Sequence, residues 1–221
     1  MQSRRVVVVD LGTGNLRSVT KAINTVSPNS EVHVSAEPSV ITDADHVILP
    51  GQGAIGTWLK QLGPGSELRQ AVVSALGNKP VLGICLGLQA LYRYSSENGG
   101  QKGFDLISGT VRHFSEAETG FGTGVGQDMR KIPHMGWNRV RHTRTHPLWK
   151  DIGNGERFYF VHSYYADSQD PDQIAGQTEY GITFTSAAAQ DNLFAVQFHP
   201  EKSQRAGLTL LKNFINWNGT C

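Results

Sequence analysis

The stretch Pro80-Val-Leu-Gly-Ile-Cys-Leu-Gly-Leu-Gln-Ala-Leu91 passes from strand-like to helix-like composition with no linker, and that abrupt change constrains the whole fold. Val81 to Ile84 is a short aliphatic run opening after a proline, the pattern of a buried strand. Leu86 to Tyr92 has helical composition and predicts a helix. Cys85 stands at the junction, with Gly83 two residues before it and Gly87 two after. A strand that turns straight into a helix pushes the side chain at the turn out of the sheet edge, and the tight turn needs small neighbours. The first N–H groups of the helix then face the sulfur, which favours thiolate and suits a developing oxyanion. The pattern predicts a nucleophile. A plain core cysteine between Ile84 and Leu86 is the competing account, because free cysteine is among the most buried residue types.

Upstream, the order of elements predicts an α/β fold. Arg5 to Val9 is a β-branched run that ends in the turn cluster Asp10-Leu-Gly-Thr-Gly-Asn15. Leu16, Val19, Ile23 and Val26 then recur at helical spacing. Gly12-Thr-Gly14 lacks the third glycine of a dinucleotide fingerprint, since Arg17 takes that place, so a tight strand-to-helix turn is the better account. Glu31 to Ser35 and His46 to Leu49 read as two more strands, the latter stopping at Pro50-Gly-Gln-Gly53. Glycines directly after a strand let backbone N–H groups approach a ligand, although a connecting turn has the same composition. Ser66 opens a helix carrying Leu68, Val72 and Leu76 on one face. The sum is a doubly wound, mostly parallel sheet with helices on both faces and a site at the carboxyl ends of its strands.

The middle of the chain predicts an antiparallel extension. Leu106 to Phe114, Arg139 to Arg141, Arg157 to Tyr165, Ile174 to Glu179 and Ile182 to Thr185 are short strand-like runs. Ser115 to Lys131 is a polar insertion with Gly120, Gly122, Gly124 and Gly126, too poor in apolar residues to pack, and mobility is expected there. Leu208, Leu211, Phe214, Ile215 and Trp217 predict the buried stripe of a final amphipathic helix.

The second chemical stretch is Leu193-Phe-Ala-Val-Gln-Phe-His-Pro-Glu201. In an extended segment His199 and Glu201 project from one face, about 6 to 7 Å apart along the chain. A carboxylate there can fix the imidazole tautomer and leave the other ring nitrogen for a thiol. A surface His and Glu in a turn is the alternative.

Bulk properties exclude several classes. A net charge of +1 calls for neither nucleic acid nor an anionic membrane. The apolar run after Arg4 and Arg5 is too short for a signal peptide, and no stretch approaches the roughly 20 apolar residues of a membrane span. Two cysteines, Cys85 and Cys221, make no zinc or disulfide pattern, so a cytoplasmic setting without metal or cofactor is expected. The 221 residues suit one domain.

Gly-Ile-Cys85-Leu-Gly-Leu-Gln and Phe198-His-Pro-Glu201, 114 residues apart from Cys85 to His199, resemble the class I glutamine amidotransferases. Val9 to Ser18 and Pro133-His-Met-Gly-Trp-Asn138 are similar to the glutaminase-subunit branch for imidazole glycerol phosphate synthesis. The insertion at 115–131 departs from that pattern. The resemblance implies that Cys85 attacks the amide of glutamine, His199 moves protons and Glu201 orients His199. It places the oxyanion at the backbone N–H groups of Leu86 and Gln52, within Pro50-Gly51-Gln52-Gly53. Gly53, Gln89 and the stretch His162-Ser163-Tyr164 would line the glutamine pocket. Ammonia would pass to a separate cyclase subunit in a heterodimer, in histidine biosynthesis. Met135, Trp137 and Asn138 are the candidate partner surface, with an ordinary core tryptophan as the rival account of Trp137. A stand-alone cysteine hydrolase of the γ-glutamyl hydrolase or peptidase-like kind remains the alternative.

Overall fold

The computed structural model describes residues 3–117, 121 and 130–220. Chain order begins β1 (Arg5–Val9), α1 (Leu16–Val26), β2 (Glu31–Ser35), α2 (Pro38–Thr42), β3 (His46–Gly51), α3 (Ile55–Gln61), α4 (Glu67–Asn78) and β4 (Val81–Cys85). A single turn, α5 (Leu86–Gln89), leads to β5 (Tyr92–Ser95), β6 (Gln101–Lys102) and β7 (Ile107–His113). Next come β8 (His134–Arg139), β9 (Arg141–His142), β10 (Arg157–His162), β11 (Tyr164–Ser168), β12 (Ile174–Tyr180) and β13 (Ile182–Gln190). β14 (Leu193–Val196) and α6 (Gln204–Asn216) come last.

Among the described residues the main sheet has twelve strands, ordered β2-β1-β3-β4-β14-β13-β11-β7-β5-β6, with β12 and β9 branching from β13. β2, β1, β3, β4 and β14 are parallel neighbours, and β14 to β13 begins the antiparallel part. β8 and β10 form a separate antiparallel ribbon. The doubly wound expectation follows directly from β1. Val6 and Val8 join the core that includes Val19 and Ile23 of α1 and Phe214 of α6. Val7 and Val9 join the opposite core, with Ile41 of α2, Trp58 of α3 and Val72 of α4. The two-residue period of a strand therefore loads both faces, and helices cover each.

Several local expectations change. The helix expected over Leu86 to Tyr92 stops at Gln89, because Tyr92 to Ser95 pair with β7 and with β6 as a strand. β3 runs on through Pro50 to Gly51, pairing with β4 rather than stopping at the proline. The strand expected from Arg139 begins at His134, because residues 134–139 pair along β10. Helices α2 and α3 appear where only punctuation was read. In α6 it is Leu210 that is buried while Leu208 is only half-buried, and the buried Trp217 lies just past the helix end. Most of the polar stretch 115–131 lies outside the described residues, as does Cys221; Phe121 and Arg130 within it form a bridge.

Candidate active site

Cys85 ends β4 at φ 56° and ψ −102°, on the side of the φ/ψ map that non-glycine residues rarely enter. A conformation of this kind persists only where its surroundings over-determine it. Here they do so through the motif's glycines. A Cβ on Gly87 would lie 1.9 Å from the Leu49 carbonyl oxygen of β3, and one on Gly83 would meet the Gly87 backbone at 2.8 Å. The elbow is thus pressed onto the neighbouring strand, and only glycine fits. Because α5 is a single turn, its dipole is small and any stabilisation of charge is local to its first peptide groups.

Gly51 pairs with Cys85 across β3 and β4. It is not a wall of the cavity, as expected, but part of the ladder. A Cβ there would come 2.5 Å from Trp58 Nε1, which itself donates to the Pro50 carbonyl at 2.9 Å. Gln52 and Gly53 do line the cavity, and Gly53 turns at φ +89° in open space.

His199 arrives from the far end of the chain. Its backbone N–H donates to the Tyr159 carbonyl at 2.9 Å, and Ser203 Oγ donates to its carbonyl at 2.6 Å. The residue before a proline is biased to extended backbone, and His199 has φ −102° and ψ 97°. Pro200 to Lys202 then curl into a 3₁₀ turn instead of continuing the expected extended tip. The turn brings Glu201 Oε1 to 2.8 Å from His199 Nδ1, with side-chain exposures of 1% and 2%. Nδ1 is therefore the donor, and Nε2 is left buried with no hydrogen-bond partner. Burial opposes a charged ring, but interaction with Cys85 and with Glu201 outweighs it and pushes the His199 pKa up to about 10. Since Nε2 makes no hydrogen bond in this geometry, we read the Cys85 contribution as electrostatic.

A cavity of about 480 Å³, a size that suits a small metabolite, opens over Cys85. The elbow supplies Leu86 and Gln89, and the junction of β10 and β11 supplies His162, Ser163 and Tyr164, as expected. The Tyr164 carbonyl accepts from Gln89 Nε2 at 3.2 Å and from His162 Nδ1 at 2.7 Å. A sulfur, an imidazole and a carboxylate in this order, beside a cavity, can run nucleophilic acyl transfer.

A profile of the family described as "Glutamine amidotransferase class-I" matches residues 7–217. The chain belongs to the class I glutamine amidotransferase family. It is 48% identical over 213 residues to imidazole glycerol phosphate synthase subunit HisH of Thiobacillus denitrificans, covering 96% of this chain and 91% of that one. To the HisH subunit of Nitrosospira multiformis it is 49% identical over 212 residues, covering 96% and 97%. Among solved amidotransferase structures, a putative GMP synthase component from Thermoplasma acidophilum superposes with a TM-score of 0.69 at 17% identity, over 98% of this chain and 94% of that one. PurLQS from Thermotoga maritima gives 0.68 at 16% identity, over 97% and 99%. These two speak to the shared amidotransferase fold.

Three residues at this amidotransferase site escaped the sequence. Glu97 lines the cavity, and its Oε2 accepts from the Ile55 N–H at 2.9 Å. Nothing in the polar Ser-Ser-Glu-Asn-Gly stretch marks it as buried. Lys202 also lines the cavity, with Nζ 5.8 Å over the Tyr159 ring. Gln197 is wholly buried beside Cys85, and its position two residues before His199 in an extended segment was the signal available. Of the expected partner surface, Met135 is 62% and Trp137 43% exposed, which excludes a core tryptophan. Asn138 turns the other way, because alternate residues of β8 face opposite sides. Its amide meets His134 Nε2 at 3.3 Å and donates to the Glu179 carbonyl at 2.9 Å.

Proposed function

We propose that this chain hydrolyses L-glutamine to L-glutamate and ammonia, and hands the ammonia to the cyclase subunit of imidazole glycerol phosphate synthase in histidine biosynthesis. The observation that carries this reading is the sealed His199–Glu201 pair set behind Cys85, at the floor of a cavity of about 480 Å³. The Cys85 sulfur attacks the side-chain amide carbon, and the oxyanion accepts from the backbone N–H groups of Leu86 and Gln52. With its pKa up near 10, His199 starts as imidazolium, so the proton for the departing amine is already in place. Ammonia leaves and a glutamyl thioester remains. His199 then takes a proton from the water that attacks the thioester, and glutamate is released. Glu201 holds the ring throughout. The Glu97 carboxylate suits the α-ammonium group of the substrate, and Gln89 with His162, Ser163 and Tyr164 holds the rest.

The partner face is Met135 with Trp137, whose ring stands 6.1 Å and edge-on from Tyr159. Lys202, over the other side of Tyr159, joins this patch to the cavity wall. Exposed aromatic and Met side chains beside a cation fit a protein interface. Among the described residues no helix is long and apolar enough to cross a membrane. We read residues 1–221 as one domain working in the cytoplasm.

Cys85→Ala in the two-chain complex is the test. Glutamine-dependent synthesis should fall at least about 10³-fold, while synthesis from added ammonia continues. Normal glutamine-dependent turnover in that variant would refute the assignment.

A further inference from the structure

The amide of Gln197 lies between the Cys85 sulfur and the Gln89 side chain, 3.6 Å from Sγ through Nε2 and 3.1 Å from Gln89 Nε2 through Oε1. Which end faces the sulfur is dictated from outside. The Tyr164 carbonyl can only accept, so Gln89 turns its nitrogen toward it at 3.2 Å. The same nitrogen faces Gln197, which must answer with its oxygen and so presents its own nitrogen to the sulfur. The Tyr164 carbonyl is itself held by His162 Nδ1 at 2.7 Å. That nitrogen must donate, so His162 Nε2 accepts from His134 Nδ1 at 2.9 Å, and His134 Nε2 accepts from the Asn138 amide at 3.3 Å. Burial keeps both rings neutral, lowering His134 to about 4 and His162 to about 3. Every bond in the line therefore has one direction.

We infer that Gln197 is a further catalytic residue: its side-chain N–H hydrogen-bonds the Cys85 sulfur and holds it as the charged nucleophile, aimed by Gln89, the Tyr164 carbonyl, His162 and His134. The inference rests on Cys85 being the nucleophile. An N–H donor favours thiolate over thiol, because the anion is much the stronger acceptor. Once the sulfur is acylated that advantage is gone, so the bond acts on the attacking state.

The experiment is the rate of alkylation by iodoacetamide against pH, on the full chain carrying Cys221→Ser so that Cys85 is the one thiol left. Gln197→Met keeps the length and removes the donor. Gln197→Glu keeps an acceptor for Gln89 and sets a carboxylate against the sulfur. The pH of half-maximal alkylation should rise in both, further in Gln197→Glu, and the rate at pH 7 should fall about tenfold in Gln197→Met. Glutamine turnover in the complex should lose kcat with little change in KM. Thermal melting reports folding, and if Gln197→Met does not fold, Gln197→Glu decides. An unmoved half-maximal pH in a folded Gln197→Glu overturns the inference. Glutamine turnover surviving in Cys85→Ala would instead overturn the nucleophile reading, leaving the alkylation result to stand by itself.

Discussion

His199 Nδ1 and Glu201 Oε1 stand 2.8 Å apart with both side chains nearly sealed from water, at 2% and 1% exposure. A carboxylate in that position orients the ring and stabilises its charge but transfers no proton itself. His199→Ala should therefore remove most of kcat for glutamine, and Glu201→Gln, which keeps an acceptor for Nδ1–H, should be milder by about tenfold or more. Steady-state kcat in the complex checks this. A Glu201→Gln loss as deep as that of His199→Ala would reverse the two roles.

Gly87 has no room for a side chain, since its Cβ would sit 1.9 Å from the Leu49 carbonyl, a backbone atom that cannot swing away. Gly87→Ala should force the elbow off β3 and destabilise by about 1 to 3 kcal/mol or more. That corresponds to a melting temperature lower by roughly 3 to 10 °C. Gly63→Ala, where the nearest contact is Lys60 O at 3.8 Å, is the control and should melt close to the parent. Equal melting of the two variants would contradict the close approach.

Acid should unfold the protein early. Burial lowers His134 and His146 to about 4 and His162 to about 3. An unfolded histidine takes its proton near pH 6.5, while these three refuse theirs until the pH is far lower. As pH falls below about 6.5 the unfolded chain binds more protons, so stability drops progressively down to about pH 3 to 4. His199, raised to about 10, has the opposite sign and loses its contribution only as pH climbs from about 6.5 toward 10. The urea midpoint should be clearly lower at pH 5 than at pH 7, with a shallower dependence in His134→Asn. A midpoint that stays flat over that range would show that these rings are not buried in neutral form.

The turn after β3 is pinned at one end and loose at the other. Trp58 Nε1 holds the Pro50 carbonyl at 2.9 Å and Gly51 is locked in the ladder with Cys85, whereas Gly53 at φ +89° has open space around it. Rotation of the peptide that carries the Gln52 N–H would remove one oxyanion donor, a loss of about 10²- to 10³-fold in rate. The isolated chain should accordingly be a poor glutaminase, activated by that order when the cyclase and its nucleotide ligand bind. Glutamate release is compared for the chain alone, for the complex and for the liganded complex. Equal rates in all three would exclude such a gate and favour a stand-alone hydrolase.

What the sequence determined by itself was short-range. The elbow is legible because the aliphatic run, the two glycines and Cys85 lie within a few residues, and their packing is with one another and with the next strand. The alternation of Val6 to Val9 announced a sheet covered on both faces, and His199 and Glu201 were near enough in sequence to be paired. What only the tertiary structure decided depends on partners far along the chain. Tyr92 to Ser95 became a strand because β7 and β6 offer it a ladder, which overrides helical composition in a segment too short to form a helix without packing. Asn138 turned inward because the pairing of β8 with β10 set which face each residue shows, and a one-residue change of register would have exchanged it with Trp137. Glu97 and Gln197 reached the site across 42 residues to Ile55 and 112 residues to Cys85. Such contacts exist only after the loops between them have closed, because the burial that makes an amide or a carboxylate matter is a property of the assembled core.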